Sequence, residues 1–403
     1  MATNREPALY SWAALNHPDS IRLLTLHPAL SSADDIVISV REARLSMSSE
    51  YKAVSYCWAT EDGDDSKDRT LTCDGALIFI TRNCEAALRR IRNDQDRTIW
   101  LDAIFINQAS DSERSHQAGL MGSIYKNASG VLVYLGEPQA DVDEETGLQT
   151  SEIFLNFLFI FCQEVGDRKS QGLDIKSSSR YQEFIRKVQA ARGADRLRPS
   201  SLIRGLRDVS SRRWWKRIWI IQEAVLAMKK GVTVLWGSME ALYSDFAFFY
   251  TATFSSTKHI RDAMRLWDVY SHLGIITICS IILGQGDERS ANILEALKYA
   301  SRLQASDPRD KVYGLLGIVD PNGDVLTSPD YTKIKNRNLQ SRIPASSSKY
   351  KDSRSSLLPA KPPSVTLRFM GCRLESCCRS SPISLPRTYV RCCFFGIFMR
   401  YLR

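Results

Sequence analysis

Along roughly the first 140 residues, short apolar runs with partial two-residue alternation take turns with segments whose apolar positions recur every three to four residues. That alternation predicts an α/β fold, a sheet flanked by helices. Ile36-Val37-Ile38-Ser39-Val40 and Tyr51-Lys52-Ala53-Val54-Ser55-Tyr56 read as strands, because β-branched and aromatic side chains suit a pleated, half-buried surface. An acidic loop from Glu61 to Asp68 follows, then a short strand from Ala76 to Ile80. Thr81 is placed to cap a helix with Ala87, Leu88 and Ile91 on its inner face. Thr98 to Ile106, TIWLDAIFI, is almost entirely apolar and predicts a buried central strand with one anomaly, Asp102. Ser110 and Glu113 have the spacing of a capping box, and Leu120, Met121, Ile124, Tyr125 and Ala128 follow at helical period. Val131 to Leu135 then closes a strand-helix-strand unit, ended by Gly136.

From Ser151 to Ala191 the pattern is helical, with a loop expected over the polar stretch Gly166 to Arg180. Ser210 to Ala227, SSRRWWKRIWIIQEAVLA, is the densest segment, and its apolar positions share one helical face only in part. Val232 to Trp236 predicts another strand, and helices are expected to fill Glu240 to Ala305. After Tyr331 the periodicity stops: Lys333 to Arg403 holds twelve Ser, six Pro and two carboxylates. Such a segment buries too little apolar surface to order itself, so a disordered tail is expected. The organisation expected is an N-terminal segment over 1–20, an α/β domain over 21–237, a helical region over 238–331 and a basic Ser/Pro-rich tail over 332–403.

A net charge of +9 would suggest nucleic acid, but the tail alone carries fifteen Lys and Arg against two acids, which leaves −4 on residues 1–332. A basic footprint for phosphates should lie on the folded surface, so no nucleic-acid binding is expected through the body. MATNREPALY lacks a signal-peptide pattern, and the longest apolar run, Leu273 to Leu283, is too short to span a bilayer. A cytoplasmic protein with reduced thiols and no membrane span is the expectation. The ten Cys show no paired metal-ligand spacing, so neither a metal nor a resident cofactor is expected. No G-x-x-x-x-G-K-[ST], H-E-x-x-H or G-x-S-x-G occurs, and the five His are unclustered. These absences disfavour nucleotide hydrolysis, zinc proteolysis and His-based nucleophilic catalysis.

Three blocks carry a family likeness, in order: YKAVSYCW at Tyr51 to Trp58, IWLDAIFINQ at Ile99 to Gln108 continuing to VYLGE at Val133 to Glu137, and RRWWKRIWIIQEAVLA at Arg212 to Ala227. They resemble the fungal heterokaryon incompatibility (HET) domain, with IRLL at Ile21 to Leu24 and DPRDKVYGLLGI at Asp307 to Ile318 similar to its flanks. Two positions depart from the family pattern, Ala59 where Gly is usual and Phe105 where Cys is usual, and the second removes thiol chemistry there. The resemblance implies a role in triggering cell death when genetically unlike cells fuse, through self-association or a protein partner.

At fold level the HET domain resembles the TIR family, some members of which cleave NAD, and that likeness implies a TIR-like sheet. It also implies an alternative function, NAD glycohydrolysis, with NAD as substrate and Glu223 after the Trp-rich segment as the carboxylate. A fixed carboxylate can stabilise oxocarbenium character while an aromatic wall stacks on the base. Against this, a Glu beside Gln222 and within reach of Arg213 or Arg217 is more often a partner in a structural ion pair than a catalyst. Asp102 could meet a ligand at the end of a central strand, or pair with an Arg or cap a helix. Trp214, Trp215 and Trp219 fit the core better than a ligand platform, and Tyr56 and Trp58, at a strand end, fit binding and packing equally. Asn107, Gln108 and Arg217 complete the set of candidate binding residues.

Overall fold

The computed structural model describes residues 8–47, 50–191, 199–254, 300, 303–318 and 328–332. The tail, the apolar run at Leu273 to Leu283 and the helices expected after Phe254 lie outside the described residues.

Nine strands form one sheet in the order β5-β4-β2-β1-β6-β3-β7-β8-β9. They are β1 (Ser20–Leu26), β2 (Val37–Arg44), β3 (Lys52–Tyr56), β4 (Arg69–Cys73), β5 (Ala76–Ile80), β6 (Arg97–Trp100), β7 (Gly130–Tyr134), β8 (Val232–Trp236) and β9 (Met239–Leu242). The neighbours β6-β3-β7-β8 are mutually parallel, and β7 is buried at all five residues, as expected for a strand covered on both faces. β1 pairs antiparallel with both β2 and β6, and β9 pairs antiparallel with β8. At the far edge, Tyr10 donates its backbone N–H to Leu77 at 2.9 Å and Leu77 returns one to Ala8 at 2.8 Å, which covers part of β5.

The chain leaves β3 toward β6 on one side, then returns across β3 to reach β7 on the other. That reversal opens a crevice at the carboxyl ends of the parallel strands, where open α/β sheets receive ligands.

The helices are α1 (Arg82–Ile91), α2 (Asp102–Phe105), α3 (Asp111–Asn127), α4 (Thr150–Ser170), α5 (Ser179–Ala190), α6 (Ser201–Ser211), α7 (Ile220–Val225), α8 (Tyr243–Phe254) and α9 (Asp310–Tyr313). Thr81 caps α1 by accepting from Cys84 N–H, and Ala87, Leu88 and Ile91 are buried as the spacing requires. An aromatic cluster of Phe154, Phe161, Phe184 and Phe249 joins α4, α5 and α8 through ring contacts of 5.0–5.9 Å.

α4 and α6 approach closely because Gly205 has no side chain: a Cβ there would stand 2.1 Å from Thr150 O and 2.8 Å from Phe154 Cβ. Gly205→Ala is therefore expected to push the helices apart and lower stability by about 1–3 kcal/mol, read from the urea midpoint. A midpoint equal to the parent's would show that the two helices separate without cost.

Several expectations are corrected. TIWLDAIFI is not one strand: β6 stops at Trp100 and the chain coils into α2, since an apolar run is equally buried as a strand or a helical turn. The polar stretch from Gly166 is still helix as far as Ser170, ending in a short 3-10 turn, Ile175–Ser177. Glu240 lies in β9 and helix resumes only at Tyr243, so the sheet runs past residue 237. β4 escaped the alternation because it is half-exposed, yet Asp74-Gly75 after it, with φ of 49° and 83°, is the tight hairpin turn that fixes it against β5. Only half of the capping box forms. Ser110 accepts from Glu113 N–H, but the Glu113 carboxylate accepts from Asn107 N–H and from the buried Arg22 of β1.

Candidate functional site

A cleft of about 880 Å³ opens at the carboxyl ends of β3 and β6, between Trp58, Asp102, Arg213, Arg217, Trp219 and Asp310. Adjacent parallel strands deliver its first two residues, since Trp58 follows β3 and Asp102 follows β6. The Trp58 indole N–H lies 3.2 Å from each carboxylate oxygen of Asp102. Asp102 is half-buried, and loss of hydration raises its pKa, against the opposing pull of the Arg217 charge. Gln108 lines the same cleft and donates to the Asp102 backbone carbonyl at 3.3 Å. Asn107 belongs elsewhere: its side-chain oxygen accepts from Ala109 N–H at 3.1 Å, shaping the turn before α3.

Glu223 sits behind this cleft, 1% exposed. Ser55 of β3 donates its hydroxyl to Glu223 Oε2, and Trp214 Nε1 donates to Ser55 Oγ at 2.6 Å. Arg217 grips both carboxylate oxygens, Nη2 to Oε1 at 3.2 Å and Nη1 to Oε2 at 3.3 Å, and Nη1 also reaches Tyr56 O at 2.7 Å. Desolvation raises the Glu223 pKa although Arg217 and Ser55 pull it down. For Arg217 burial opposes the charge, but Glu223, Cys57, Asp102 and Tyr125 together more than offset it and raise the pKa.

Two of the aromatic candidates are walls of the cleft only by proximity. Trp214 and Trp215 are 1% and 0% exposed, stand edge to face at 5.0 Å, and belong to the core. The Trp215 N–H donates to Val209 O at 2.6 Å, so both indoles are satisfied inside the protein. Tyr56 is likewise buried, with its phenol against the Cys84 thiol, and desolvation raises its pKa well above the ordinary value. Trp58 and Trp219 supply the aromatic surface instead.

The third side of the cleft comes from residues 304–307, Asp310 and Tyr331. Ile218 N–H donates to Gln304 O at 2.9 Å, and Gln222 Nε2 donates to Tyr313 O at 2.8 Å. Backbone meets backbone where a Cβ on Gly122 of α3 would come within 2.8 Å of Gly317 Cα. Tyr331 donates to Asp310 at 2.6 Å, its ring 4.4 Å from the Arg114 guanidinium and 4.9 Å from that of Arg309. Ser55, Asp310 and Tyr331 were not singled out from the sequence, and Arg213 was named only as a possible partner of Glu223, a place that Arg217 takes. Ser55 was visible as the one small polar side chain among the inward residues of KAVSY, and Asp310 lies within DPRDKVYGLLGI.

Residues 51–223 match the model of the family described as heterokaryon incompatibility protein (HET), and the match spans β3 through Glu223. Over that stretch the chain is similar to the HET domain. It is 28% identical over 364 residues to heterokaryon incompatibility protein 6, OR allele, of Neurospora crassa, a match covering 80% of this chain and 51% of the relative. The chain thus spans about half the length of the curated relative it matches. No solved structure matches it. Among the described residues no helix is long and apolar enough to cross a membrane, and no group of three or more His, Cys, Asp or Glu could hold a metal ion.

Proposed function

We propose that this HET-domain protein acts in fungal non-self recognition, triggering programmed cell death on fusion of unlike cells through self-association or binding of a protein partner in the cytoplasm. The observation that carries the assembly reading over NAD cleavage is the state of Glu223. Both its oxygens are held by Ser55 and Arg217 and it is 1% exposed, so the carboxylate that cleavage would use is engaged in an internal ion pair. Support for the role itself comes from the matched domain and the named relative. The TIR-like reading of the fold belongs to the same proposal and is supported by the doubly wound order of the parallel strands.

Glu223→Gln tests it. The variant is expected to lose thermal stability, because the Arg217 charge is left without its partner, and cell killing on overexpression should fall only as far as folded protein falls. The purified parent is expected to release no nicotinamide from NAD at any of several protein concentrations. Nicotinamide release that disappears in a Glu223→Gln protein melting like its parent would overturn the assembly reading in favour of catalysis.

A further inference from the structure

We infer that the cleft at the ends of β3 and β6 binds a phosphorylated ribose, free or within a nucleotide, with Asp102 on the sugar diol and Arg213 on the phosphate. This goes beyond the assembly reading, which requires no small ligand, and it involves no bond cleavage.

Most charges lining the cleft already have partners. Arg217 is held by Glu223, Arg114 by Asp111, Asp307 by Arg309, and Asp310 by the Tyr331 hydroxyl and the Trp219 indole N–H. Three lining charges make no ion pair among the described residues: Asp102, Arg213 and, at the exposed rim, Asp65. Only Asp102 is drawn in from solvent; its side-chain donor is the Trp58 N–H, shared between two oxygens at 3.2 Å, with the backbone amides of Asp102 and Ala103 beside it and the Arg217 charge nearby. A half-buried carboxylate with lone pairs left over at the mouth of a cleft calls for donors from a ligand.

The donor is a neutral diol more readily than an ammonium. Arg217 and Arg213 line the same cleft and disfavour a further positive charge, whereas two vicinal hydroxyls can each meet one oxygen of the carboxylate. An acidic side chain at the carboxyl end of a parallel strand, beside the point where the winding direction reverses, is where α/β sheets hold ribose hydroxyls.

Arg213 supplies the complementary end. It is exposed, its backbone N–H is fixed by Glu61 at 3.1 Å, and its guanidinium lies 3.5 Å from where a side chain on Gly63 would begin. A guanidinium with free donors suits the paired oxygens of a phosphate. Trp58 and Trp219 have their N–H groups engaged by Asp102 and Asp310, which leaves ring surface for a base or a sugar face. A volume of about 880 Å³ falls in the range of small-molecule sites.

Titration of the full chain with ribose 5-phosphate, AMP, 2′-deoxy-AMP and inorganic phosphate, followed by calorimetry and tryptophan fluorescence, tests the site. AMP or ribose 5-phosphate should bind, and binding of one without the other tells whether a base is read. Loss of the diol in 2′-deoxy-AMP, and Asp102→Asn with AMP, should each weaken binding by about tenfold or more. Arg213→Gln should weaken AMP while leaving adenosine unchanged. Without ligand, Asp102→Asn should melt at or above the parent temperature at neutral pH, because burial penalises the ionised carboxylate that Asn removes. No binding of AMP or ribose 5-phosphate at millimolar concentration, equal affinity for AMP and its 2′-deoxy form, or parent-like binding by a folded Asp102→Asn protein would each overturn the inference. None of these results bears on cell killing, which is scored separately.

Discussion

Arg217→Ala is expected to lose about 3–5 kcal/mol of stability, because it leaves the carboxylate of Glu223 buried without its counter-charge. Glu223 is 1% exposed, so water cannot replace the guanidinium, and Ser55 alone remains to donate. The loss should depend on pH with a definite sign. Burial already raises the Glu223 pKa in the folded protein, and removing Arg217 raises it further. A carboxyl whose folded pKa lies above its unfolded value takes up protons on folding, so stability falls as pH rises from the ordinary carboxylate range through the folded pKa. The defect should therefore be largest at neutral or higher pH and shrink as the solution is acidified toward that range. Urea unfolding of parent and variant at a series of pH values measures it. A pH-independent difference between the two would show that lost packing of the arginine stem, rather than the orphaned charge, is responsible.

Trp215→Ala should cost a comparable amount, about 3–5 kcal/mol, by emptying a fully buried indole site. Trp215 touches Trp214, Tyr243 and Phe246, so the cavity would lie where the turn before α7 meets α8, and its N–H bond to Val209 would also be lost. Trp58→Ala is the informative contrast. Trp58 is only partly buried and borders the cleft, so its removal should cost much less in the melting temperature. Equal destabilisation by the two changes would contradict the division between a core pair of tryptophans and a cleft pair.

The two-residue and three-to-four-residue patterns located β2, β3, β5, β7 and β8 and the helices α1 and α3, because these elements each bury one face or both. The same reading failed where burial does not depend on conformation. In TIWLDAIFI every apolar side chain goes inside whether the backbone is extended or helical, so only the structure shows the break at Leu101. The candidate site was legible in kind and incomplete in arrangement. Asp102 and Trp58 were named from their place at strand ends, and they do meet, but nothing local ties Ser55 to Trp214 and Glu223 across separations of 159 and 168 residues. Trp214 and Trp215 illustrate the converse, since a sequence cannot say which of several neighbouring indoles turns inward. In RRWWKRIWIIQEAVLA the chain forms a 3-10 turn and then a short helix, so the aromatics do not share one face.

The nine-stranded sheet sets where this unit can be cut and transplanted. The stretch that matches the family runs from Tyr51 to Glu223, yet β6 inside it is hydrogen-bonded to β1, Leu24 opposite Ile99, and β7 is hydrogen-bonded to β8, Val131 opposite Val232. Since β4 also loses its partner β2, a graft trimmed to the matched stretch would leave three raw strand edges, on β4, β6 and β7, each with unpaired backbone groups that invite pairing with any passing strand. A transplant that preserves the sheet has to carry everything from Ser20 to Leu242, so β1, β2, β8 and β9 travel with the motif blocks as one piece.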